Sequence, residues 1–182
     1  MKKNNMTEKT MDVCIQNIAL GDSNAFKELY NELSIPIYKF ALSVIRSPES
    51  AEDIAQETFL RIRASAQYYR PNGKPMAWIY SIARNLAVSE MRRRSKSRDI
   101  YDYSELLEDK NSQTKMEEIE EAFDILEVLN LDEKMIVLLH ILSDLKHSDI
   151  AIAINMPYEQ VRWKYAYALK KLRKAYWGRK TS

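Results

Sequence analysis

Aromatic and basic side chains gather in one stretch, residues 68–94, and their chemistry suits contact with unpaired nucleic-acid bases. Aromatic rings stack on bases, which contributes about 1–3 kcal/mol per base, while arginines neutralise phosphates and amides hydrogen-bond base edges. The candidate contact residues are Tyr68, Tyr69, Trp78, Ser81, Arg84, Asn85, Arg92 and Arg93. Packing in the core is the commoner role of aromatics at helical spacing, and it explains Trp78 and Tyr80 equally well.

A second candidate surface precedes this stretch in the segment AEDIAQETFLRI, residues 51–62. Ile54, Phe59 and Ile62 recur at helical spacing and are predicted to face inward. The outer side then carries Asp53, Gln56 and Glu57. This acidic and amide patch suits docking on basic side chains of a protein partner, although a solvated helix face explains the same pattern.

The segment from residue 145 to 174 has the layout of a helix-turn-helix. Asn155 can adopt the left-handed conformation that a tight turn after a helix requires, and Pro157 suits the start of the second helix. Side chains at the start of such a helix reach base edges in the major groove. The candidates are Tyr158, Glu159, Gln160, Arg162, Lys164 and Lys171. An ordinary helical hairpin with a basic face is the alternative, and Trp163 and Tyr167 fit either a second core face or a partner site.

Composition excludes several other classes of protein. The chain has 182 residues with 46% hydrophobic content, which excludes general disorder, and no apolar run long enough to span a membrane. The first residues lack the apolar segment of a signal peptide, so we expect a cytoplasmic protein without membrane insertion. Cys14 is the only cysteine and there are two histidines, so we expect neither an internal disulfide nor a metal site. No catalytic constellation can be argued, and we expect no enzymatic activity, cofactor or small-molecule substrate.

Helical periodicity predicts an all-α fold. Pro36 is expected to interrupt a helix, Ser47 and Pro48 to start the next one, and a further helix to run over residues 76–94. On that last helix one stripe is predicted to lie opposite the core. Its members are Ser81, Arg84, Asn85, Val88 and Arg92.

Charge and periodicity together predict two small helical domains joined by a flexible acidic linker. Residues 96–117 lose helical periodicity and are rich in Ser, Asp and Glu, which is typical of a linker. Basic clusters lie on both sides of the acidic middle, which favours contact with a polyanion at two places. We therefore divide the chain into domain 1–95, linker 96–117 and a helix-turn-helix domain 118–182.

The residues quoted above resemble the extracytoplasmic-function (ECF, group IV) sigma factors of bacterial RNA polymerase. The resemblance covers nearly the whole chain. It is carried by AEDIAQETFLRI, by WIYSIARN (78–85) followed by RRR (92–94), and by the helix-turn-helix pattern of residues 149–173.

The resemblance implies an alternative sigma factor that directs promoter-specific transcription initiation. It assigns Asp53, Gln56 and Glu57 to the β′ clamp helices of core polymerase, and residues 68–94 to opening and reading the minus-ten element. It assigns the helix-turn-helix to the minus-thirty-five element and the β flap. It also implies an anti-sigma factor as a partner.

Two other classes of protein remain open from the residues alone. A stand-alone helix-turn-helix repressor or activator would bind duplex DNA tightly without polymerase. A helical adaptor would bind a protein partner and no nucleic acid, but the aromatic and arginine residues of 68–94 weigh against it.

Overall fold

The computed structural model describes the backbone of residues 6–97 and 123–180, and the side chains of residues 6–95 and 123–178. Within these ranges the regular secondary structure is entirely helical, which confirms the predicted all-α class. The helices are α1 (Glu8–Ala19), α2 (Ser23–Ile45), α3 (Pro48–Ser65), a 3₁₀ turn (Ala66–Tyr68), α4 (Pro75–Ser97), α5 (Leu131–Ser143), α6 (His147–Ala153) and α7 (Tyr158–Lys180). None of these helices is long and apolar enough to cross a lipid bilayer.

The predicted linker lies almost entirely outside the described residues. Helix α4 extends to Ser97, three residues beyond its predicted end, and residues 98–117 are not described. The division of the chain at residues 95 and 118 therefore stays a prediction.

Capping residues fix where the helices begin. The Ser47 side chain accepts a hydrogen bond from the backbone N–H of Ser50, and Pro48 occupies the first turn of α3, as predicted. Asp22 caps α2 in the same way by accepting from Asn24 and Ala25. The starts of these helices are thus set by local hydrogen bonds that the sequence makes visible.

Helix α2 continues through Pro36, so the predicted interruption is wrong. A proline inside a helix removes one backbone hydrogen bond. Leu33, Ile37 and Phe40 on either side of it are fully buried, and their packing offsets that loss. The result is one continuous 23-residue helix at the centre of the N-terminal half.

One continuous hydrophobic core joins the two halves of the chain. Phe40 of α2, Tyr80 of α4 and Ile136 of α5 are all fully buried in the same cluster, which also takes in α6 and α7. Helix α4 packs against α6, and α2 packs against α5. The helix-turn-helix is therefore seated on the N-terminal helices.

Two basic residues, Lys74 and Arg46, form ionic contacts between the same halves. Lys74 Nζ lies 2.9 Å from Oδ1 of Asp149, a residue of α6 that is buried. Arg46, which follows α2, lies 3.1 Å from the carboxylate of Asp124 and 3.3 Å from that of Glu127. The Lys74 contact attaches the loop before α4 to the C-terminal half.

Buried polar side chains inside this core are held neutral. Burial raises the pKa of Tyr80 to about 12, opposed in part by Ser143 of α5. Burial also raises the pKa of Cys14, whose thiol donates to the carbonyl oxygen of Ala25 at 3.0 Å. Both groups therefore stay protonated at neutral pH.

Candidate nucleic-acid interface

The loop between the 3₁₀ turn and α4 is attached to α1 through one buried carboxylate. Asp12 accepts a hydrogen bond from the Tyr69 hydroxyl and another, at 3.0 Å, from the backbone N–H of Gly73. Gly73 has φ +71°, a backbone conformation that residues other than glycine rarely adopt. Burial and the Asp12 carboxylate raise the pKa of Tyr69. Asp12 was not among the predicted site residues; the only sign of its role in the sequence is its position next to Met11, which is buried on α1.

The predicted aromatic residues differ in how far they reach solvent. Tyr68 is 74% exposed, whereas Tyr69 is only 7% exposed. The Tyr69 ring lies 4.7 Å from that of half-buried Trp78, centroid to centroid. Tyr68 can therefore stack on a base directly, and Tyr69 and Trp78 form a supporting pair beneath the loop.

On α4, only part of the predicted outward stripe is exposed. Asn85 and Arg92 are exposed, Ser81 and Arg84 are half-buried, and Val88 is buried, so the prediction for Val88 is wrong. The reason is that α4 packs against α2, α3 and α6, which buries a wider side than one stripe. Arg84 Nη1 donates to Asn85 Oδ1 at 3.1 Å, so these two predicted contact residues are oriented together.

The arginine block that ends α4 is partly neutralised by Glu90. Its carboxylate accepts from Arg93 at 2.8 Å and from Arg94 at 2.9 Å. The hydrogen bonds from Arg93, followed by those from Arg94 and Ser50 and opposed by burial, lower the pKa of Glu90 to about 2. Arg92 is exposed and forms no ion pair with a described residue, so it presents its charge outward. The spacing of Glu90 three and four residues before these arginines was the missed signal.

The predicted docking patch is brought together on α3. Asp53 and Gln56 are exposed, and Glu57 is half-buried with its carboxylate 2.8 Å from Arg61. Leu60, which the sequence analysis missed, is 60% exposed and follows Gln56 by one helical turn. The surface therefore combines acidic, amide and apolar groups.

The helix-turn-helix geometry is present in α6 and α7. Asn155 has φ +52° between them, which confirms the predicted left-handed turn. Tyr158, Glu159, Gln160 and Arg162 are all exposed at the start of α7. The Arg162 guanidinium lies 5.7 Å from the Tyr158 ring centroid and 3.4 Å from the Glu159 carboxylate. This group is therefore presented to solvent on one end of the helix.

Two of the predicted contact lysines on α7 are engaged by α5. Lys164 lies 3.0 Å from Asp132, and Lys171 lies 2.8 Å from Glu133. Glu133 is almost fully buried, and with Asn130 it forms the capping box of α5. These lysines attach α7 to α5 and are less available to a ligand than Arg162.

A histidine pair lies where α5, α6 and α7 meet. The ring centroids of His140 and His147 are 5.2 Å apart, and both lie within 5 Å of the Tyr165 ring. His140 Nδ1 is 2.9 Å from the carbonyl oxygen of Leu145. Burial, together with electrostatic repulsion from His140 and Arg162, lowers the pKa of His147. The described residues contain no cluster of three or more His, Cys, Asp and Glu that suits a metal ion.

Part of the chain matches a known protein family. Residues 29–97, which hold the α3 patch, the loop and α4, match the family Sigma-70 region 2. The ECF RNA polymerase sigma factor SigK of Mycobacterium sp. (strain KMS) is 34% identical over 83 residues, which are 45% of this chain and 43% of that protein. EcfG of Rhodopseudomonas palustris (strain TIE-1) is 32% identical over 114 residues, 62% of this chain and 63% of that one. The chain thus spans less than half of the SigK length and under two thirds of EcfG.

Two solved structures share the fold over most of the chain. CnrH, solved in complex with the cytosolic domain of CnrY, has a TM-score of 0.73 at 17% identity and covers 89% of this chain and 94% of its own. The sigma factor RpoE from Bartonella quintana, solved with the anti-sigma factor NepR, has a TM-score of 0.65 at 19% identity and covers 82% and 95%. Over part of its length the chain is thus similar in sequence to bacterial extracytoplasmic-function sigma factors, and it shares its fold with the two solved structures.

Proposed function

We propose that the chain is an alternative sigma factor, which binds core RNA polymerase and directs it to a specific class of promoter. One observation carries the proposal. The segment that matches region 2 of the sigma-70 family carries an outward acidic patch on α3 and an aromatic loop followed by a basic helix. A protein that must hold polymerase and melted DNA at once needs both surfaces.

The α3 surface is the polymerase-docking site in this proposal. Asp53 and Gln56 supply charge and hydrogen bonds, and Leu60 supplies an apolar centre beside them. Interfaces of this kind combine a buried apolar group with a polar rim. The β′ clamp helices of polymerase are the expected partner, and the basic side chains there would pair with Asp53.

The loop after the 3₁₀ turn and α4 form the minus-ten reader in this proposal. Tyr68 offers an exposed ring for an unstacked base, and Asn85 offers an exposed amide for its edge. Extruding a base costs a few kcal/mol, which stacking and hydrogen bonding offset. Arg92 supplies the phosphate contact, whereas Arg93 must first exchange Glu90 for a phosphate.

Helices α6 and α7 form the minus-thirty-five reader in this proposal. The start of α7 presents Gln160 and Arg162, which can form bidentate contacts with adenine and guanine respectively. Contact with the β flap of polymerase is proposed for the same half. An anti-sigma factor is proposed as a further partner, because the Bartonella quintana protein that shares the fold was solved with one.

Reconstitution with bacterial core polymerase tests the proposal. We expect the chain to co-elute with core polymerase and to support run-off transcription from promoters selected out of a random-sequence library. Housekeeping sigma factor and core polymerase alone serve as controls. Absence of core binding would overturn the proposal, and tight binding of duplex DNA by the chain alone would favour a stand-alone helix-turn-helix regulator.

A further inference from the structure

Helix α7 carries a stacked pair of exposed aromatic rings that the core does not use. Trp163 is 64% exposed and Tyr167 is 44% exposed. Their ring centroids are 5.4 Å apart and their planes differ by 5°. The core side of the helix is formed instead by fully buried Val161 and Ala168. The two parallel rings form one contiguous apolar surface that is open to a ligand.

A chain of contacts fixes the orientation of this pair. Buried Glu133 lies 2.8 Å from Lys171, and the Lys171 ammonium lies 4.8 Å from the centroid of the Tyr167 ring. Tyr167 then stacks on Trp163. Because each of these side chains is held in place by a contact with the preceding one, the indole of Trp163 loses little conformational freedom when it binds a ligand.

Charge on the same helix identifies the class of ligand. Glu159 is the one acidic residue of this helix, and residues 160–180 after it contain eight lysines and arginines. At 100° per residue, Trp163 points away from the core stripe, and Lys170 lies two turns further along the same line. The indole is therefore at the crest of a basic helix face, which is complementary to a nucleic-acid duplex.

The chemistry of the indole restricts what it can recognise in a major groove. It has one N–H donor, no acceptor and a wide apolar face. The apolar group that bases present in that groove is the C5 methyl of thymine. We propose that Trp163 reads a thymine methyl in the upstream promoter element, with Tyr167 as the ring that positions it. This inference rests on the proposed function, because it requires α7 to lie in the major groove.

Replacing single thymines with deoxyuridine tests the inference, because this change removes only the methyl group. The probe is a duplex promoter selected by the reconstituted holoenzyme from a random library, and the measured quantity is the dissociation constant of the holoenzyme. We expect wild type to lose about fourfold in affinity at one or two adjacent thymines of the upstream element. Trp163→Ala should bind the thymine promoter more weakly and show no further loss at those positions.

A second tryptophan on the same helix provides the matched control. Trp177 is 60% exposed, lies four turns beyond Trp163, and is too far from the start of α7 to share its groove contact. Trp177→Ala should keep the full sensitivity to deoxyuridine. Tyr167→Ala should reduce that sensitivity and Tyr167→Phe should keep it, since phenylalanine preserves the ring.

The outcomes separate this inference from the proposed function. If wild-type holoenzyme selects and binds a promoter but is indifferent to every thymine methyl upstream, the inference fails and the proposed function stands. The inference also fails if Trp163→Ala remains as sensitive as wild type, or if the selected upstream element has no thymine. If no holoenzyme forms, both fail.

Discussion

At the scale of single residues, buried and half-buried carboxylates organise the surfaces that are proposed to meet DNA. Asp12 holds the loop before α4, Glu90 holds Arg93, and Glu133 holds Lys171. Local patterns in the sequence predict which basic and aromatic side chains are exposed. They do not show which partner each acid will find, because Asp12 meets the backbone of Gly73, and Glu133 meets Lys171, only after distant segments have packed.

Protonation of Glu90 in acid should lower the free energy of unfolding, over a range of pH that its pKa sets. The folded-state pKa of about 2 lies below the ordinary value of 4.5, so the carboxylate stabilises the fold above pH 4.5. That contribution, about 3 kcal/mol at neutral pH, is lost as the pH falls from 4.5 towards 2. Glu90→Gln should therefore be less stable than wild type at pH 7, and the difference should shrink across that range.

Denaturant unfolding of both proteins between pH 7 and pH 2 measures this difference. Glu28→Gln changes an exposed acid on α2 and serves as the control. A gap between wild type and Glu90→Gln that stays constant down to pH 2 would contradict the role given to this carboxylate.

Two exposed polar residues should separate the two activities proposed for residues 29–97. Asp53→Lys should weaken core-polymerase binding at least tenfold, because it places a positive charge where the partner is expected to be basic. Asn85→Ala should leave core binding unchanged and reduce open-complex formation, because it removes only a base-edge contact. Fluorescence anisotropy with labelled core polymerase measures the first, and permanganate footprinting of unpaired thymines measures the second. Loss of core binding in Asn85→Ala, or unchanged core binding in Asp53→Lys, would rule out this division.

At the scale of helices, local signals predicted the starts and turns better than the buried sides. Ser47 with Pro48 and the left-handed Asn155 were readable because capping and turn geometry depend on a few neighbouring residues. The predicted interruption at Pro36 was wrong because tertiary packing outweighs one missing backbone hydrogen bond. The prediction for Val88 was wrong because α4 contacts four described helices, whereas a periodicity argument assumes one buried side.

Mild acid should loosen the junction of α5, α6 and α7 through His147. Its pKa is lowered below the ordinary value of 6.5 by burial and by electrostatic repulsion from His140 and Arg162, so the folded state favours the neutral ring. The unfolded chain then binds the proton more readily, and stability falls as the pH drops below 6.5 through the lowered pKa. Thermal unfolding of wild type at pH 7.5 and pH 5.5 should show a lower midpoint at pH 5.5. His147→Gln should show a smaller difference, and an unchanged one would exclude His147 as its source.

At the scale of the whole molecule, the helix-turn-helix and the N-terminal helices share one core. Local periodicity could not predict this arrangement, because it shows which side of a helix is apolar and not which helix will cover it. The ionic contact between Lys74 and Asp149 lies at the edge of that core. It joins the loop proposed to read the minus-ten element to the first helix of the proposed minus-thirty-five reader.

Breaking this contact should separate the halves. Asp149→Lys places two positive charges together at a buried position, and we expect a larger radius of gyration by small-angle X-ray scattering. The double variant Lys74→Asp with Asp149→Lys restores an opposite-charge pair and should recover most of the compact shape. If the double variant is as expanded as the single one, the ion pair does not hold the halves together.

The buried thiol of Cys14 makes such movements directly observable. A thiol reacts as its thiolate. The raised pKa and the burial of Cys14 therefore protect it from thiol-modifying reagents. Since it is the only cysteine in the chain, two new cysteines on exposed sites of α3 and α7 can carry a donor and an acceptor dye without first removing it. Energy transfer between those dyes would follow the distance between the halves, molecule by molecule, as polymerase and promoter are added.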